Sequence, residues 1–361
     1  MLSKGDDYPI HQRPEPVAWA GTDRNFYDRY FFNGYAPDGS EFFAFALGLY
    51  PHLDVIDAHF SVVRNGVQHC IHASRELGSE RLEMDVGPLE ICVEKPLEEL
   101  RVCVREVDGI SADIVFTGRS FPIQEPRFIH RFGARAFMDY TRMTQNGRYT
   151  GWIEVDGDRR ELAPGTMGTR DRSWGIRPIG ARDLQPITGE HPPGFFWQWT
   201  PLNLAEGSLF FHDNAGANGK SWNTRAAWAP DCATAKEICE GEGHMIAPLA
   251  SGTRWPERGS LRIECETGPH ALELEPIGRF QMKGLGYTHP KWGHGMHHGA
   301  LTVEREDIVL ADLDPLAPEN LHVQIPVRVT GDAEGMGVFE QLILGPFAPM
   351  GLTGVIDGGR G

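Results

Sequence analysis

Leu89-Glu90-Ile91-Cys92-Val93-Glu94, followed shortly by Leu100-Arg101-Val102-Cys103-Val104-Arg105, alternates apolar and polar side chains without a break. Successive side chains of a strand point to opposite faces, so this alternation marks strands with one buried face. Leu261, Ile263 and Cys265 alternate in the same way with Arg262, Glu264 and Glu266. Similar runs occur at 42–50, 55–64, 67–73, 112–117, 136–143, 149–155, 195–200, 208–213, 221–228, 271–275, 300–305, 321–330 and 335–345. Between many of them stand turn signals: Pro37-Asp38-Gly39, Asn65-Gly66, Gln145-Asn146-Gly147, Asp156-Gly157 and Asn218-Gly219. Asn-Gly and Asp-Gly suit the positive φ angles of tight hairpins. The best helical stretch, Ala233–Glu240, is short and weakly patterned.

The expected class is therefore all-β, with about fifteen strands in successive hairpins, more than one small barrel holds. The chain has 361 residues, which suggests about two domains. Its 43 glycines and 26 prolines, about 19% of the chain against an average of roughly 12%, fit many turns and exclude a long-helix bundle. Pro186, Gly189, Pro192 and Pro193 cluster near the middle, so the expected boundary falls there, dividing the chain into 1–185 and 186–361.

With 34 Lys and Arg against 50 Asp and Glu, the formal charge is −16. That balance argues against nucleic acid, whose phosphates are held by Lys and Arg, and against anionic membrane surfaces. Residues 1–16 are polar, without the apolar core of a secretion signal, and the run 42–50 is too short to cross a membrane. No membrane insertion and a cytoplasmic location are the expectations. The six cysteines form no CxxC pair and no zinc spacing, and they read as buried free thiols. A homodimer is compatible with the sequence.

The densest chemistry lies at Gly168-Thr169-Arg170-Asp171-Arg172-Ser173-Trp174-Gly175-Ile176-Arg177, where a strand is expected to meet a turn. In an extended stretch Asp171 and Ser173 face one way, Arg170, Arg172 and Trp174 the other. Downstream, Trp197 and Trp199 share a strand face. A carboxyl in apolar surroundings stays protonated near neutrality, and an indole face stabilises a cation. The competing reading is a structural ion pair of Asp171 with Arg170, Arg172 or Arg177.

The stretch from Trp152 to Trp199 resembles the AttH-like group, which includes the carotenoid 1,2-hydratases (hydroxyneurosporene synthases) and related olefin cyclases. The resemblance rests on a hairpin ending in Trp152, the pattern Asp171-x-x-Trp174-Gly175 and the strand Trp197-x-Trp199. Phe32-Asn33-Gly34-Tyr35, His69–Arg75 and Gly286–Gly295 look like a largely uncharacterised branch of it. Thr169 stands where the hydratases carry Tyr, and Arg172-Ser173 where they carry an Asn-like residue. The resemblance implies two lipocalin-like (calycin) β-barrels packed together around apolar cavities, with Asp171 in the place of the alkene-protonating acid.

Gly286–His298 carries four histidines, His289, His294, His297 and His298. It reads as a metal site, as a polar loop at a barrel mouth, or as the source of one catalytic histidine, His294. No carboxylate or thiol stands at a ligand spacing, so no metal is expected. Neither a Walker loop, a Rossmann fingerprint nor a Gly-x-Ser-x-Gly elbow occurs, so no cofactor is expected. Asp139 and Tyr140 point to opposite faces of one strand, so only one of them, Tyr140, is taken as entering a cavity. His212-Asp213-Asn214 reads as a turn or a cavity mouth, and Glu340-Gln341 as a solvated face.

The expected site is thus Asp171, His294 and Tyr140 as catalytic residues, with Trp174, Arg177, Trp197, Trp199, His212 and Trp292 contacting substrate. The expected function is a cofactor-independent lyase, hydratase, isomerase or cyclase working by acid/base chemistry on an apolar terpenoid, steroid-like or aromatic molecule. The alternative is a non-catalytic carrier of a lipophilic small molecule. An ionisable group inside the cavity discriminates the two, because a carrier prefers a uniformly apolar lining.

Overall fold

A computed structural model describes residues 2–10, 23–182, 194–266 and 268–359. Thirteen strands fill the first half: β1 (Phe26–Tyr35), β2 (Phe42–Tyr50), β3 (Val55–Arg64), β4 (Val67–Glu76), β5 (Asp85–Val86), β6 (Leu89–Lys95), β7 (Glu99–Val107), β8 (Ile110–Gly118), β9 (Ile123–Gln124), β10 (Phe128–Phe132), β11 (Arg135–Val155), β12 (Asp158–Glu161) and β13 (Met167–Ile176). Ten follow: β14 (Phe195–Leu204), β15 (Gly207–Ala215), β16 (Ser221–Pro230), β17 (Cys239–Ile246), β18 (Gly259–Cys265), β19 (Gly268–Pro276), β20 (Phe280–Gln281), β21 (Leu301–Val309), β22 (Val323–Gly331) and β23 (Gly335–Leu344). Helical structure among the described residues is confined to short 3-10 turns, and none is long and apolar enough to cross a membrane. The stretch Ala233–Glu240 forms no helix: it makes a turn and then enters β17 at Cys239.

The strands make two antiparallel barrels. The first follows the order β21-β4-β3-β2-β1-β13-β11-β8-β7-β6-β5, with β9, β10 and β12 also paired to β11. It is nearly closed: Arg75 on β4 reaches across the gap and donates from Nε to the Asp85 carbonyl of β5, 2.8 Å away. The second runs β19-β18-β17-β16-β15-β14-β23-β22 and closes through β19–β22 pairing. The β21 strand comes from the second half of the sequence yet pairs with β4 along Leu301–Val309. Strand pairing therefore crosses the 185/186 division, and the Pro186–Pro193 cluster lies outside the described residues.

Hairpin chemistry follows the sequence at most turns. Asn65 and Gly66 take φ of 50° and 79° between β3 and β4, and Asp156 and Gly157 take 51° and 84° between β11 and β12. Gln145-Asn146-Gly147 is the exception, because it lies inside the 21-residue β11 rather than in a turn. That strand pairs with β13 over Asp139–Arg148 and with β8 over Gly147–Val155, so it must bend. Gly147 and Gly151 permit this: a Cβ at Gly147 would overlap the Phe116 ring, and one at Gly151 the Asp113 carbonyl oxygen. Gly151 also holds φ of +121°. Gly151→Ala is expected to destabilise the fold by roughly 2 kcal/mol or more, measurable by urea denaturation, through backbone strain and steric overlap together.

Two apolar faces on one strand explain how the barrels meet. On β2, Phe43, Phe45, Leu47 and Leu49 fill the first barrel, while Phe42, Ala44 and Ala46 face the second. Trp197 and Trp199 on β14 and Phe210 on β15 pack into that seam, whereas Leu202, Leu204 and Phe211 line the second barrel. Asn33 donates to Gln324 Oε1 at 3.0 Å and Asn203 to the Tyr35 hydroxyl at 2.8 Å, tying the barrels together. Of the six free cysteines only Cys70 is buried, which corrects the expectation of buried thiols generally.

Candidate functional site

Alternation along β13 sorts its charged run. Arg170 and Arg172 point into the first barrel, and each finds a carboxylate remote in sequence. Arg170 binds Asp7 and donates to Gln145 Oε1 at 2.7 Å. Arg172 pairs with Asp28 and lies 3.9 Å over the Tyr30 ring. Trp174 shares this face and so does not border Asp171. Arg177 turns to His294. None of the three arginines expected as ion-pair partners holds Asp171. The Asp171–Gly175 motif also lies within β13 rather than at its end.

Asp171 faces the inter-barrel seam instead. Its neighbours across the sheet are Phe31 on β1 and Thr144 on β11. The Phe31 ring meets Trp199 edge-on at 6.0 Å. Asp171 is half-buried, and no described group hydrogen-bonds its carboxyl. Burial pushes that carboxyl up to about 7; Glu125 and Glu340 push the same way, while Arg142 and Arg29 oppose them.

Around it the polar groups are tightly engaged. Arg142 clamps Glu125 with two hydrogen bonds of 2.9 and 2.6 Å, and Thr144 donates to the same carboxylate at 2.6 Å. Burial alone would raise Glu125, but Arg142 and His212 hold it below the usual carboxylate range. The Arg142 guanidinium covers the Trp197 ring at 4.3 Å, so that face is closed to any further cation. Trp197 donates its indole N–H to Glu340 at 2.8 Å and Trp199 donates to Thr144 at 3.2 Å. Glu340 and Gln341 are thus buried, not a solvated face. His212 is fully buried inside β15, not in a turn; burial brings it down to about 4, and its Nε2–H donates to Asn223 Oδ1 at 2.6 Å.

Tyr140 shares the Asp171 face, stacked on Phe128 at 4.5 Å and edge-on to Tyr27 at 6.0 Å. Burial raises its phenol well above the usual value, so the hydroxyl keeps its proton. His294 has both nitrogens occupied. Nε2–H donates to the Leu285 carbonyl at 2.9 Å, and Nδ1 accepts from Arg177 at 3.0 Å and Arg29 at 3.3 Å. Burial, then Arg29 and Arg177, hold it far below its ordinary pKa. His294 is therefore a neutral acceptor that positions two guanidiniums.

A cavity of about 690 Å³ opens at one end of the seam, lined by Phe132, Phe137, Phe195 and Trp222 beside Asn25 and Ile179. None of the nine expected site residues lines it. Phe128 touches both Trp222, at 6.4 Å between ring centres, and Tyr140, so one aromatic layer stands between cavity and Asp171 face.

A model for a family of unknown function, DUF8625, matches residues 2–353. The chain belongs to that family. No curated protein matches it in sequence. Among solved structures, the "putative AttH" (NE1406) of Nitrosomonas europaea is 14% identical, with a TM-score of 0.53 over 92% of this chain and 98% of that one. CghA in complex with Sch210972 is 12% identical, with a TM-score of 0.54 over 94% of this chain and 96% of the other. These likenesses show the fold: the AttH-like pair of lipocalin-like barrels expected from the Asp171 and Trp197-x-Trp199 motifs.

The structure places further groups near Asp171 that sequence reading missed: Tyr27, Arg29, Glu125 and Arg142. The period of two along β11 carried one signal, since Tyr140, Arg142 and Thr144 share a face. The others come together only through register and barrel packing.

Apart from Tyr287 and His294, the histidine-rich segment goes elsewhere. Trp292 stacks on His72 at 5.6 Å, away from the Trp197–Trp199 pair. His297 is exposed near Glu76, and His298 contacts the Lys291 carbonyl. His72, His289 and Glu306 do bring three ligand atoms within 4.8 Å of one another. His289 Nδ1, however, accepts the backbone N–H groups of Lys291 and Trp292 at 3.0 and 2.7 Å. Its proton therefore sits on Nε2, facing Glu306 at 3.2 Å, where a metal would need the lone pair. Zinc added to the DUF8625 protein is expected to leave its melting temperature unchanged; a rise that His289→Ala removes would overturn this.

Proposed function

We propose that this protein is a cofactor-independent enzyme of the lyase, hydratase, isomerase or cyclase type, acting on an apolar terpenoid, steroid-like or aromatic molecule. Asp171 is its proton donor. The observation that carries this reading is a desolvated carboxyl, without a hydrogen-bond partner among the described residues, raised to about 7 between two barrels. A carboxyl near its operating pH can both give and retake a proton. Such a group is an unfavourable lining for a carrier, whose cavity gains nothing from a desolvated acid. CghA, of the same fold, is described with the small molecule Sch210972 bound, which supports a ligand-binding role for the two-barrel frame.

The Asp171 O–H proton passes to one carbon of a double bond, and the O–H pair stays on the carboxylate. Either water adds to the other carbon and returns a proton to the Asp171 carboxylate, or a neighbouring carbon gives its proton to that carboxylate as the C–H pair forms the shifted double bond. Since Arg142 covers one face of the Trp197 ring, that face does not serve to stabilise a cation as anticipated from sequence. The test is incubation in D2O with a panel of apolar unsaturated compounds, read by mass spectrometry. Deuterium incorporation or addition of water, lost in Asp171→Asn, supports the proposal. Compounds that bind yet emerge unlabelled and unchanged would make the protein a carrier.

A further inference from the structure

The buried arginines of this protein follow a rule with one departure. Among the described residues, Arg64 meets Glu41, Arg119 meets Asp231, Arg142 meets Glu125, Arg170 meets Asp7, Arg172 meets Asp28 and Arg254 meets Asp357. Arg29, only 1% exposed, meets no carboxylate. It donates to the Leu285 carbonyl at 3.0 Å and shares the single lone pair of His294 Nδ1 with Arg177. Arg177 has no carboxylate partner among the described residues either. The Nε atoms of both arginines are buried and unpartnered.

Two guanidiniums converging on one neutral acceptor repel each other, and among the described residues neither forms an ion pair with a carboxylate. The nearby acids act on them only at a distance: Arg29 and Arg177 both draw the Asp57 carboxyl down against its burial, and Arg29 does the same to Asp171, without an ion pair. Asp57 is occupied by the Tyr50 hydroxyl at 3.1 Å and the Gly295 N–H at 2.7 Å. Asp171 makes no hydrogen bond to either arginine. The surroundings are aromatic: Arg29 lies 4.4 Å over Tyr287 and Arg177 lies 4.5 Å over Tyr27. Arg177, Tyr140, Tyr287 and Asp171 each keep partial accessibility. The chain runs directly from Arg177 into Pro178 and Ile179 of the cavity wall.

We infer that Arg29 and Arg177 form a carboxylate-binding site and that the substrate is an apolar acid, its body among the aromatic groups and its carboxylate between the two guanidiniums. Arginine forks match a carboxylate in plane and spacing, and the missing anion completes the pattern of the other buried arginines. The neutral, doubly engaged His294 holds the forks in place without competing as a charge. This inference rests on the proposed proton-transfer reading for the word substrate, but the binding site can be tested without it.

The probes are 2-naphthoate and its neutral counterpart 2-naphthamide, titrated calorimetrically into the full chain at pH 8. The wild type is expected to bind the carboxylate at least about 10-fold tighter than the amide. Arg177→Met, checked for folding by circular dichroism, is expected to lose that preference, and Arg177→Lys to keep part of it. Equal binding of the two probes by the wild type, or an undiminished preference in Arg177→Met, overturns the inference. Should Arg177→Met fail to fold, the wild-type comparison and Arg177→Lys still decide. A carboxylate preference together with no deuterium transfer to any compound would keep this site and remove the enzyme reading. Transfer that depends on Asp171, with no carboxylate preference, would do the reverse.

Discussion

Asp171→Asn is expected to lower turnover by about 100-fold or more while stabilising the folded protein above neutral pH. The two effects share one cause. The folded carboxyl titrates at about 7, well above its unfolded value near 3.9, because burial disfavours the charge. Between those pH values the folded state holds a proton that the unfolded state has released. Stability therefore falls as pH rises from about 4 to about 7, and the loss persists above that window. Asparagine cannot ionise, so it escapes the penalty. Because Asp171 keeps some contact with water, the gain is discounted to roughly 1–3 kcal/mol at pH 8, with almost none at pH 4. Urea denaturation at the two pH values measures it. A wild-type and variant difference that is the same at both pH values would show that Asp171 is not a desolvated acid. A variant that fails to fold would make the residue structural.

Glu125→Gln should give the largest loss of stability in the seam, about 3–5 kcal/mol by urea denaturation at pH 7, because it leaves the Arg142 guanidinium buried without its counter-charge. The same carboxylate accepts from Thr144, which in turn holds Trp199, so the barrel contact loosens with it. Glu125 titrates below its usual range when folded, so its contribution is present above that range and disappears on acidification. The variant should therefore differ least from wild type in acid. Its negative charge also helps to raise Asp171, so the pH at which Asp171 loses its proton should move down in Glu125→Gln. Adding Arg142→Met to the variant should recover part of the stability, since an apolar side chain needs no partner. A double variant as unstable as the sum of the singles would show that the pair is not coupled.

Much of the fold is legible residue by residue. The alternations at 89–94 and 100–105 appear as β6 and β7, and the apolar run 42–50, interrupted only by Gly48, is β2, apolar because both of its faces are covered. Asn65-Gly66 and Asp156-Gly157 make the hairpins their φ preferences favour. Gln145-Asn146-Gly147 carries the same turn chemistry and makes no turn, because pairing with β13 and then β8 keeps it extended. A local preference of this size yields to a ladder of backbone hydrogen bonds on both sides.

The candidate site divides along the same line. Alternation in 168–177 alone places Asp171 on the face opposite Arg170 and Arg172, and the pair Trp197 and Trp199 on one face of their strand. These follow from strand geometry, which is a property of neighbouring residues. Which arginine meets which acid does not follow from it. Arg172 and Asp28 are 144 residues apart, Arg170 and Asp7 are 163 apart, and Arg29 reaches His294 across 265. Those partners, the seam that desolvates Asp171, and the lack of an ion pair for Arg29 and Arg177 among the described residues are set by strand register and by how the barrels pack. Tertiary structure decided them because a buried charge takes its partner, or lacks one, according to what long-range packing brings within about 4 Å, which sequence spacing does not encode.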